Sequence, residues 1–148
     1  MDIDDFSITC PQQPLTGDFE IKKAAHAEGW LNISSGDASH TEGHLTKAYG
    51  DYSHAEGWGT LAWSHGAHAE GKYTQSLNEN AHAEGFNSIA KKVASHAEGR
   101  STVADGYGSH AEGRNTQTGG NYESNTLEAS SITDNGSGAH AEGNATLA

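Results

Sequence analysis

The chain has 148 residues, enough for one domain, yet only 18 of them are Leu, Ile, Val or Phe, and its formal net charge is −12. So little apolar surface beside so much charge excludes a conventional hydrophobic core. The acidic balance excludes a phosphate-tracking nucleic-acid binder, the single Cys10 excludes an intrachain disulfide framework, and no apolar run reaches transmembrane length.

Residues 1–23 follow no repeat. Alternating Ile3, Phe6 and Ile8 suggest a short strand, and the segment is expected to cap the repeats after it or to connect them to another part. It has neither the basic n-region nor the apolar h-region of a secretory signal.

From residue 24 onward a tetrapeptide recurs. His26, His40, His54, His68, His82, His96 and His110 stand fourteen residues apart, and His140 comes thirty residues later. Counting back fourteen from His140 reaches "TLEA" (Thr126–Ala129), a worn copy, which implies about nine repeats with an insertion near Gly119 and Gly120. Glu holds its slot in every copy: Glu28, Glu42, Glu56, Glu70, Glu84, Glu98, Glu112, Glu128 and Glu142. Each period has two halves. In "SHAEGRSTVADGYG" (95–108) they align as a small hydroxyl residue, a spacer, Ala, a spacer, Gly and two turn residues.

Such alternation is strand periodicity, and Gly supplies the tight turns. A short fixed period predicts a stacked array, here an all-β, parallel β-solenoid of 24–148 with two short strands per coil. The stretch 115–135 reads as a loosened repeat and is expected to bulge. If Ser, Thr, Ala and Gly line the lumen, it is too narrow for a ligand and buries little, so association is expected. The Thr46, Thr60, Thr74, Thr102 and Thr116 column falls in that lumen. His and Glu then point outward as two parallel ladders, while the outward positions of the second strand vary (Ile33/Ser35, Lys47/Tyr49, Leu61/Trp63, Gln75/Leu77). A face that repeats in every rung implies a contact with copies of the same chain.

The fourteen-residue pattern over 24–148, with its S-H-A-E-G wording, resembles the head repeats of YadA-like trimeric autotransporter adhesins and similar repeats of phage tail-fibre and appendage proteins. The resemblance implies a left-handed parallel β-roll and a homotrimer with one sheet of each roll toward the threefold axis. Those adhesin heads carry Val and Ile where this chain has His and Glu. The ladder His26, Glu28, His40, Glu42, His54, Glu56, His68, Glu70, His82, Glu84, His96, Glu98, His110, Glu112, His140 and Glu142 is therefore the expected trimer interface, joined by His–Glu hydrogen bonds between chains. In such pairs Glu is expected to raise the His pKa, with stability greatest at low pH.

His and carboxylate are also metal ligands, but repetition in every rung favours a structural role, and no metal or cofactor is assigned. A catalytic dyad needs one asymmetric pocket, and no rung is singled out, so no enzyme is expected. Trp30, Trp58 and Trp63 are candidates for a receptor or carbohydrate surface. The expectation is a structural and adhesive module of a phage tail fibre that attaches to a host cell, with self-association and a surface glycan or protein receptor as partners. The absent secretory signal and the S-H-A-E-G wording favour the virion over the alternative, the head of a bacterial surface adhesin. Nucleic acid and membrane insertion are not expected.

Overall fold

A computed structural model describes residues 24–119, 136–145 and 147–148. The expected capping segment 1–23 and the worn copy Thr126–Ala129 lie outside the described residues. Among those described the chain is an all-β parallel solenoid with fourteen residues per turn.

Each turn contributes one long and one short strand. The long strands, His26–Trp30, His40–His44, His54–Trp58, His68–Lys72, His82–Phe86, His96–Arg100, His110–Arg114 and His140–Asn144, form one eight-stranded sheet. The short strands, Ile33–Ser34, Lys47–Ala48, Leu61–Ala62, Gln75–Ser76, Ile89–Ala90, Val103–Asp105 and Gln117–Gly119, form a second sheet of seven. Pairing is parallel and in register, so His40 sits over His26 and Glu42 over Glu28. The stack rises about 4.8 Å per rung, and seven steps span about 34 Å.

Among the described residues the interior holds no side chain larger than Thr. Its apolar part is Ala from both sheets, such as Ala55, Ala69, Ala83 and Ala97 from the long strands and Ala48, Ala62 and Ala90 from the short ones. Buried hydroxyls fill the rest. Where Ser precedes the tetrapeptide it closes a turn: Ser39 and Ser95 hydroxyls donate to the carbonyls of Gly36 and Lys92, both at 2.7 Å. The Thr46, Thr60, Thr74, Thr102 and Thr116 column is buried, as expected.

The tetrapeptide Gly differs from expectation. It is exposed rather than luminal, and it is Gly for a backbone reason. Gly85 has φ +94°, and a Cβ there would sit 2.2 Å from the carbonyl oxygen of Gly99 in the next rung.

The last described rung corrects the coil count. His110 pairs directly with His140, so the sheet has eight long strands and no ninth rung between these two. Gly136 takes the turn position that follows Gly106, one rung on. A Cβ on Gly136 would lie 2.5 Å from the Cα of Gly119, so the two Cα atoms are within about 4 Å, roughly one peptide step. Gly119 and Gly136 are thus neighbours in space, although sixteen residues separate them in sequence.

Candidate functional site

Within the long strands Ala, or Thr41 in the second, holds the position between His and Glu and faces the lumen, and alternation therefore sends His and Glu out together. In-register stacking turns them into two rows. Neighbouring imidazoles from His26 to His140 lie 4.6–5.0 Å apart between ring centroids, and from His68 to His140 their planes are within 8° of parallel. The structure thus brings together every described member of the expected His/Glu ladder.

The two rows do not form hydrogen-bonded pairs within the chain. His54, His68 and His96 Nε2 each stand 3.7 Å from an oxygen of the Glu two residues on. His110 Nε2 lies 3.8 Å from Glu112 and 3.9 Å from Glu98 of the preceding rung. These are ion-pair distances, too long for a hydrogen bond. The Nε2 atoms of His40, His54, His68, His82, His96 and His110 are shielded from solvent and have no hydrogen-bond partner.

Within one chain three of the stacked histidines shift downward, whereas the expected upward shift concerns pairs between chains. Burial first, and the neighbouring imidazoles second, hold His54, His82 and His96 below the ordinary range. Nearby Glu residues pull the other way and lose. A depressed His binds fewer protons folded than unfolded, so its contribution is full above pH about 6.5 and is lost as pH falls, which thermal melts across that window would read. The carboxylates interact along their own row. Hydrogen bonds with Glu70 and Glu98 push Glu84 up to about 7, and the same bonds hold Glu70 and Glu98 low.

Beside this face runs a second row that sequence reasoning found only in part. The residue after each tetrapeptide Gly forms a ridge at one corner of the coil. Trp30 stacks on His44 at 4.7 Å, His44 on Trp58 at 5.8 Å, and Lys72 Nζ sits 4.0 Å from the Trp58 ring centroid. Arg100 lies 5.7 Å from the ring of Phe86. Trp30 and Trp58 therefore share one surface. Trp63 does not; it sits on the short-strand side, edge-on to Tyr49 at 5.1 Å. His44 was missed, although it stands in the same slot after Gly as Trp30, Trp58, Lys72 and Phe86.

Comparison with protein-family models, with curated proteins and with solved structures finds no match to this chain.

Proposed function

We propose that this chain is a structural and adhesive segment of a homotrimeric fibre, a left-handed β-roll in a phage tail fibre or appendage that attaches to a host cell surface. The reading rests on one observation. Every large apolar side chain among the described residues lies outside the lumen, while the lumen holds only Ala, Ser, Thr and backbone. Trp30, Trp58 and Trp63 are 66%, 42% and 57% exposed. A lumen this small gives a lone chain little stability, and contiguous apolar surface marks a contact.

Two outer faces then divide the work. The His/Glu face repeats rung after rung, as a contact between identical chains at constant spacing requires. The Trp30–Phe86 ridge and the Trp63 patch vary along the stack and are the candidates for receptor or carbohydrate contact. The near-equivalence of the rungs favours a structural role over catalysis. The resemblance of the repeat to adhesin heads keeps the bacterial surface adhesin as the alternative. Sequence that continues into a coiled-coil stalk and membrane barrel would select it.

Light scattering at neutral pH tests the assembly. The expected mass is three times 15.5 kDa. A well-folded monomer would leave both faces in solvent and end the fibre reading.

A further inference from the structure

We propose that the His/Glu face binds divalent transition-metal ions, each held by an imidazole Nε2 and by carboxylate oxygens of its own and the adjacent rung. The type site is Glu42, His54 and Glu56, whose candidate ligand atoms all lie within 4.8 Å of one another. His54 Nε2 is sealed from solvent without a hydrogen-bond partner and faces Glu56 Oε2 at 3.7 Å. Glu70, His82 and Glu84 repeat the arrangement, and His96, Glu98 and His110 form a variant with two imidazoles and one carboxylate. There Glu98 offers Oε2 to His96 at 3.7 Å and Oε1 to His110 at 3.9 Å, so one carboxylate addresses two successive imidazoles.

These separations suit a shared ion better than a direct bond. Two ligand atoms about 2.1 Å from one metal stand roughly 3.0–3.5 Å apart, which a swing of the half-exposed Glu side chain achieves. Imidazole nitrogen with carboxylate selects first-row transition ions such as Ni²⁺ or Zn²⁺ and not Ca²⁺ or Mg²⁺, which take oxygen ligands. Ions on adjacent rungs would be about 4.8 Å apart and would repel, so occupancy of about every second rung is expected. Three ligands come from one chain, so the site does not depend on the trimer.

The experiment is titration of Ni²⁺, and separately Ca²⁺, into the chelator-stripped 148-residue chain by calorimetry. Saturable uptake of several Ni²⁺ per chain is expected, with Ca²⁺ at least ~10-fold weaker. The variant with His54→Asn, His68→Asn, His82→Asn, His96→Asn and His110→Asn should lose about half of the bound Ni²⁺, its fold checked by circular dichroism. For the unmodified chain, Zn²⁺ should shift the ¹⁵N resonances of the stacked histidines and spare His65, which lies off the row against Tyr52. Absence of saturable uptake, equal affinity for Ca²⁺, or shifts confined to His44 and His65 would each overturn the site. Light scattering of the stripped protein keeps the two readings apart. A metal-free trimer with no uptake retains the fibre and removes the metal, and a metal-binding monomer does the reverse.

Discussion

Glu84 stands in a row of carboxylates repeated at rung spacing, and it holds a proton between two of them. Its folded pKa, about 7, lies above the ordinary 4.5. Its contribution to stability is therefore full below about pH 4.5 and is lost as pH rises through about 7. Glu84→Gln keeps an N–H donor and removes the charge. In chelator-treated protein the variant should melt a few degrees above the parent at about pH 8 and within ~1 °C of it at about pH 5. Equal melting at both pH values would show that Glu84 carries no shared proton. Gly85 tests the backbone in the same rung. Gly85→Ala puts a Cβ 2.2 Å from the Gly99 carbonyl at a φ of +94°, and should cost about 3 kcal/mol in a denaturant titration.

At the level of the coil, most of the architecture was legible because each inward letter is small and each period is equal. Register, strand order and the burial of Ala, Ser and Thr all follow from those two facts. The tetrapeptide Gly misled, because small size suggests a luminal position, whereas positive φ and the carbonyl of the next rung demand Gly on the exposed side. The fourteen-residue count misled at Thr126–Ala129 for another reason. Counting along the chain cannot tell which copies stack directly, and the His110–His140 pairing decides it. Within one chain, burial and like neighbours outweigh the carboxylates at His54, His82 and His96, a balance that the repeat spacing does not reveal. Joining Gly119 directly to Gly136 should accordingly leave the far-ultraviolet dichroism unchanged and the melting temperature within ~3 °C. Collapse of the fold on that excision would show that the sixteen residues are part of the stack.

The described rungs form a column whose length is set by copy number. Duplicating residues 54–67 adds one complete rung in register, because residue 68 again follows a turn and again begins with His. Small-angle scattering should find the long dimension increased by about 4.8 Å at constant cross-section. An insertion of seven residues, half a coil, should instead broaden or abolish the melting transition, because it sends the following His and Glu rows to the opposite sheet.

That no described residue larger than Thr is buried reaches beyond stability. The residues that decide folding are Ala, Ser, Thr and Gly, and those that decide what the surface touches are nearly all others. Selection for a new binding target can therefore rewrite Trp30, Trp58 or Trp63 without disturbing the letters that make the rungs. Each outward position has a fixed address, set by rung number and place within the coil. Changes of specificity then amount to editing side chains on a lattice of known pitch, with little of the compensating repacking that a conventional core would demand.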